Sequence, residues 1–165
     1  ATFEFPHLLQ LMRHNQFDTI YHEHFSYLSL LTVRQVMEAA GLRVFDVEEL
    51  PTHGGSLRLY TCRAEASHAE TPAVARILAE ERAAGLDGMA AYAAFARQVV
   101  DTKAAVLDFF VTAHRAGKRV VGYGAPAKGN TLLNYCGIGP EFLPFTVDRS
   151  PHKQGMLLPG THIPI

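Results

Sequence analysis

Tyr21, His22, Glu23 and His24 stand consecutively between Ile20 and Phe25. A phenol, a carboxylate and two imidazoles in one run can donate, accept or shuttle protons, the chemistry of general acid–base catalysis. Burial between the apolar flanks would shift the pKa values of all four groups, as such chemistry requires. The bland alternative is a polar strand end with two partly exposed histidines.

A second constellation lies near the other end. Gly122-Tyr123-Gly124-Ala125-Pro126-Ala127 fits G-x-G-x-x-A, after a strand-like stretch and before a helical one. Asp148 closes the next strand-like stretch, Phe145 to Val147, where a ribose-binding acid is expected in Rossmann units. Such glycines let backbone approach phosphates, and free N–H groups with a helix dipole hold the anion. Lys128 and Asn130 add donors there. It is not a P-loop, because Asn130 occupies the place of the essential lysine. Beyond it, His152 and Lys153 sit in Ser150 to Gly155, near the same carboxyl edge. A third candidate is His53-Gly54-Gly55-Ser56-Leu57-Arg58, where two glycines permit close backbone approach with His53 and Arg58 flanking.

The elements that must position these residues read as α/β. Ala1 to Phe5 begins as a strand, and Phe5 to His14 has a helical pattern with Pro6 suited to its first turn. Phe17 to Tyr21 reads as extended. Leu31 to Ala40 reads as a helix with Thr32 as its cap and Gly41 as its stop. Leu42 to Val47 and Ser56 to Cys62 alternate as strands, with Leu57, Leu59 and Thr61 sharing a face. Two Ala-rich helices, 73–84 and 89–116, follow, and Lys118 to Gly122 feeds a strand into the glycine turn.

Bulk properties exclude more than they assign. At 165 residues, 48% hydrophobic and 19% charged, the chain can bury a core as one domain or two small ones. A net charge of −1 points to neither nucleic acid nor a membrane surface. No apolar run spans a bilayer and no secretory leader is read, and a cytoplasmic protein is expected. Cys62 and Cys136 lack CxxC spacing, which argues against a metal site and for reduced, buried thiols. Both ends read as cuts in a longer polypeptide.

Taken together, Phe17 to Tyr27, His53 to Arg58 and Gly122 to Thr131 resemble the SAM-dependent sugar C-methyltransferases. Ser150 to Gly155 and Leu158 to Ile165 resemble that family's carboxyl-terminal region. The resemblance implies that residues 1–66 hold the carboxyl-terminal portion of a SAM-methyltransferase α/β domain. Residues 67–165 would then form a Rossmann-like carboxyl-terminal domain. S-adenosyl-L-methionine would be bound mainly by an upstream part, and zinc is expected only in an amino-terminal domain. The 165 residues alone are expected to be inactive.

The family's chemistry is methyl transfer to a carbon next to a ketone on a nucleotide-linked, TDP-type deoxysugar. The resemblance implies that His24 is the base, with Glu23 binding sugar hydroxyl or amino groups or orienting an imidazole. Tyr21 could donate to the developing oxyanion. His22 would be structural; strict alternation puts it on the face of His24, so a bend must separate them if only one is catalytic. Gly122, Gly124, Lys128 and Asn130 would lie near the pyrophosphate, Asp148 at a ribose hydroxyl, and His152 or Lys153 at a phosphate. His53 and Arg58 complete the substrate-binding candidates. A monomer is compatible with all of this. The rival readings are an NAD-binding Rossmann dehydrogenase domain and a noncatalytic nucleotide-sugar binding module.

Overall fold

The computed structural model describes residues 1–165 and divides into two compact units. Unit 1 comprises residues 1–16 and 25–96, and unit 2 comprises residues 17–24 and 97–165. Helix and strand are mixed, as expected for an α/β chain. The division falls inside the long helix Met89–Arg115, whose Ala91, Tyr92 and Phe95 pack with Leu9 and Leu11 while its Val106, Leu107 and Phe110 join a separate core.

Unit 1 is a three-stranded antiparallel sheet in the order β1-β3-β2, formed by β1 (Thr2–Pro6), β2 (Leu42–Leu50) and β3 (Ser56–Arg63). Leu57, Leu59 and Thr61 are buried while Arg58, Tyr60 and Cys62 are half-buried, the alternation that the sequence suggests. Two helices, named α2 (Leu30–Ala39) and α3 (Pro72–Ala83) in chain order, supply Leu30, Val33, Val74, Ile77 and Leu78 to the same core. The short first helix, α1 (Leu8–Arg13), adds Leu9, Leu11 and Met12 to a second cluster with Leu86.

Three local expectations need correction. Pro6 lies in β1, not in a helical first turn; β1 is an edge strand, where a missing N–H costs little. The cap of α2 is Ser29, whose hydroxyl accepts the Thr32 N–H at 3.2 Å, so Thr32 is already inside the helix. Phe17 to Tyr21 is not extended: Phe17–Thr19 forms a 3-10 turn, and a bend follows at Tyr21.

A buried polar hub orders unit 1. The Glu81 carboxylate, wholly inaccessible, accepts the Leu30 and Leu31 N–H groups at 2.7 and 2.8 Å. It therefore caps α2 from another element and meets the dipole's positive end. His7 Nε2 lies 2.8 Å from the same carboxylate and is equally buried.

Unit 2 holds the carboxyl half of α4 (Met89–Arg115), then β4 (Gly122–Tyr123), α5 (Ala127–Cys136) and β5 (Thr146–Val147). β4 and β5 pair in parallel with α5 as the crossover, a small βαβ unit. Both strands are two residues long, shorter than the stretches 118–122 and 145–147 expected from sequence. Its core gathers Phe110, Cys136, Ile138, Leu143, Leu158 and Ile163. Both cysteines are free thiols, and burial pushes the Cys136 thiol upward. No helix is long and apolar enough to cross a membrane.

Candidate functional site

The glycine turn of unit 2 is built from two glycines required for different reasons. Gly122 pairs with Thr146, and a Cβ there would stand 2.6 Å from Thr146 Oγ1. Gly124 has φ +95°, a conformation that side chains resist. The Gly124 N–H donates to Val147 O at 2.6 Å, and Thr146 Oγ1 donates to Gly124 O at 2.7 Å. The chain then enters α5 at Pro126, a cap with no side-chain acceptor. The first N–H groups of α5 are therefore left to whatever lies before them, with the positive end of the helix dipole behind.

A cavity of about 410 Å³ opens beside this turn. Ala125, Pro126, Ala127, Asn130 and Thr131 form one wall, and His152, Lys153, Met156, Leu157, Leu158, Pro159 and Ile165 form another. Tyr21 and His22 complete it. The size suits a nucleoside-sized ligand, and the mix of apolar wall and few polar groups is that of a small-molecule site. Asn130 Oδ1 is buried without a hydrogen-bond partner, an acceptor for a hydroxyl or N–H group.

Tyr21 and His22 reach the cavity because the segment 17–24 belongs to unit 2. Phe17 is buried and packs edge-on against Tyr135 of α5, ring centroids 5.3 Å apart. The His24 N–H donates to Tyr21 O at 3.0 Å, so the tetrapeptide is a tight turn. That turn replaces the strict alternation of an extended strand. His22 faces the cavity, and the His24 ring lies against Tyr21 at 4.6 Å between centroids. The apolar flanks do not bury the run: Phe25 is 94% exposed and Ile20 49%. His22 and Glu23 are exposed and Tyr21 and His24 half-buried.

Asp148 stands behind the glycine turn. Its Oδ2 accepts the Ala125 N–H at 2.7 Å and its Oδ1 the Ser150 N–H at 2.8 Å. Those two backbone donors, Ser150 first, and then the Lys153 ammonium hold its carboxyl below the ordinary carboxylate range. Lys153 Nζ donates to Ala125 O at 2.8 Å and lies 3.5 Å from Asp148 Oδ2.

Of the residues singled out by sequence, the cavity gathers Tyr21, Asn130, His152 and Lys153, and it adds His22. Gly122, Gly124 and Asp148 shape the turn. Lys128 sits in the first turn of α5 and makes no ion pair, although it does not line the wall. Glu23 and His24 flank the lining residues in sequence. His53 and Arg58 belong to unit 1 and do not line the cavity. His53 is exposed at φ 55°, and Arg58 is held by Glu4 at 2.9 Å and Glu48 at 3.3 Å. Its hydrogen bond to Glu4 raises its pKa further. Pro126, Thr131, Met156 and Leu157 line the cavity without a chemical signature of their own; the apolar run after the Ser150–Gly155 loop is the one signal in sequence. No group of three His, Cys, Asp or Glu side chains is arranged to hold a metal ion.

Residues 51–165 match the family model described as the C-methyltransferase C-terminal domain. Over 162 residues the chain is 44% identical to C-methyltransferase NovU of Streptomyces niveus, an alignment covering 98% of this chain and 39% of that protein. The chain thus spans about two fifths of the length of the curated relative it matches.

Proposed function

Because the chain belongs to the C-methyltransferase family and carries its carboxyl-terminal domain, we propose that it works in methyl transfer to carbon on a nucleotide-linked deoxysugar. The observation that carries this reading is the shared cavity: Tyr21 and His22 of the acid–base turn line the same 410 Å³ hollow as the amino end of α5. One end offers proton-transfer groups and the other an anion-binding helix terminus, which suits a charged nucleotide joined to a reactive sugar.

S-adenosyl-L-methionine supplies an electrophilic methyl group when bound, and no residue of this chain is assigned to it. The antiparallel sheet of unit 1 has no strand–glycine turn–helix to grip such a cofactor, and the glycine turn of unit 2 is assigned to the nucleotide. The chain's own residues act on the acceptor. His24 takes the proton from the carbon next to the ketone, as an imidazole is suited to do near neutral pH. Tyr21 donates a hydrogen bond to the ketone oxygen as charge develops there. Glu23 holds sugar hydroxyl or amino groups.

At the other end, the N–H groups of α5 and the Lys128 ammonium hold the diphosphate, with Gly122 and Gly124 allowing close approach. Asn130 and His152 contact the nucleoside. The βαβ unit is read as the kernel of a Rossmann-like domain, and the protein as cytoplasmic. Methylation of a TDP-keto-deoxysugar by the full-length enzyme, followed by mass spectrometry, tests the reading. A product heavier by one methyl group on carbon supports it. Reduction or oxidation of the sugar with NAD would replace it with a dehydrogenase.

A further inference from the structure

We infer that Asp148 and Lys153 are positioning residues that clasp Ala125 and hold the glycine turn in its ligand-ready shape, leaving phosphate contact to the amino end of α5 and Lys128. This rests on reading the cavity as a nucleotide-sugar site. Both main-chain polar groups of Ala125 are engaged: its N–H goes to Asp148 Oδ2 at 2.7 Å, and its C=O accepts from Lys153 Nζ at 2.8 Å. Lys153 Nζ also lies 3.5 Å from Asp148 Oδ2, closing a three-cornered ring. Ala125 stands between Gly124, at φ +95°, and Pro126, the cap of α5. A turn with so permissive a residue at its centre has little intrinsic preference for one shape. The clasp supplies that preference, and it sets the direction in which α5 presents its free N–H groups.

The same geometry removes Lys153 from the set of free cations. Its ammonium is committed to a carboxylate and a carbonyl, whereas Lys128 makes no ion pair. Asp148 is anchored in turn: Ser150 N–H reaches its Oδ1 at 2.8 Å, and Gln154 Nε2 donates to its main-chain carbonyl at 2.9 Å. An asparagine at 148 has one acceptor oxygen, so it cannot serve Ala125 and Ser150 from separate oxygens, and it leaves Lys153 without a counter-charge. Aspartate is needed for the arrangement.

The test is calorimetric titration of the protein with TDP. Asp148→Asn and Lys153→Met should each weaken binding about tenfold, the cost of a lost charge-assisted hydrogen bond. Their double variant should bind no worse than Asp148→Asn alone, because both open one clasp. Lys128→Ala should multiply with Asp148→Asn, because it acts on the phosphate directly. Fold-changes that multiply for Asp148→Asn with Lys153→Met, or either single variant binding like the wild type, would overturn the inference while leaving the cavity's assignment in place. Failure of the wild type to bind TDP would overturn both. Should Asp148→Asn not fold, Lys153→Met, whose side chain is 43% exposed, and its cycle with Lys128→Ala decide alone: multiplication supports the clasp, and unchanged affinity refutes it.

Discussion

The His24 imidazole lies against the Tyr21 ring, centroids 4.6 Å apart and planes tilted by 33°, inside a turn closed by the His24 N–H to Tyr21 O bond. In the proposed mechanism this sets base and oxyanion donor side by side, so that proton removal and charge stabilisation occur at adjacent atoms of one ketone. His24→Asn removes the proton acceptor, and turnover should fall by about 10²- to 10⁴-fold. Tyr21→Phe keeps the ring packing and removes only the donor, for a loss of about 10²-fold or more. Steady-state rates of methyl transfer by the full-length enzyme check both, and unchanged turnover in His24→Asn removes it as base.

Gly122 and Gly124 should fail differently on substitution. Alanine at 122 meets Thr146 Oγ1 at 2.6 Å and its Cβ at 2.8 Å, so β4 must move from β5 at a cost of about 1–3 kcal/mol. Alanine at 124 meets its nearest atom, in Pro126, at 3.5 Å, an ordinary contact, and its penalty is confined to φ +95°, about 1 kcal/mol. Denaturant midpoints of the two variants rank them, and equal losses would contradict the geometry.

Much of this was legible in the residues, for a physical reason in each case. Ser56 to Cys62 alternates because one face of β3 is buried, and period-two burial writes itself into sequence. The strand–turn–helix at Gly122 is legible because few residues tolerate its contacts. The turn at Tyr21–His24 is not, because four polar residues carry no periodicity, and what places them is Phe17 packing on Tyr135, a residue far along the chain. The Ser29 cap was hidden behind Leu30 and Leu31, which only the distant Glu81 reveals as helical N–H donors. The cavity wall from His152 to Ile165 is irregular backbone, and irregular backbone leaves no pattern to read.

Glu81 should be among the costliest positions in unit 1. Glu81→Ala leaves the buried His7 and the Leu30 and Leu31 N–H groups without their acceptor. Breaking a buried charged or hydrogen-bonded cluster of this kind costs roughly 3–5 kcal/mol. Equilibrium urea unfolding checks it, and a loss below about 1 kcal/mol, as expected of an exposed pair, would contradict the hub.

Asp148 confers on the turn a pH dependence of known sign. Its folded pKa lies below the unfolded one, so its stabilisation is complete above the unfolded value and is lost as pH falls through the folded value. The window therefore lies below about pH 4, the ordinary aspartate value. Thermal melts of the wild type and Asp148→Asn should differ near neutral pH and converge on acidification through that window. A gap that stays constant with pH would assign the difference to shape and not to charge.

The most direct test of the proposed nucleotide-sugar site is calorimetry of the protein against TDP, S-adenosyl-L-methionine and NAD in parallel. TDP should bind, more weakly in Lys128→Ala, and NAD should not. NAD binding without TDP binding would contradict the assignment and make unit 2 a dehydrogenase-type site.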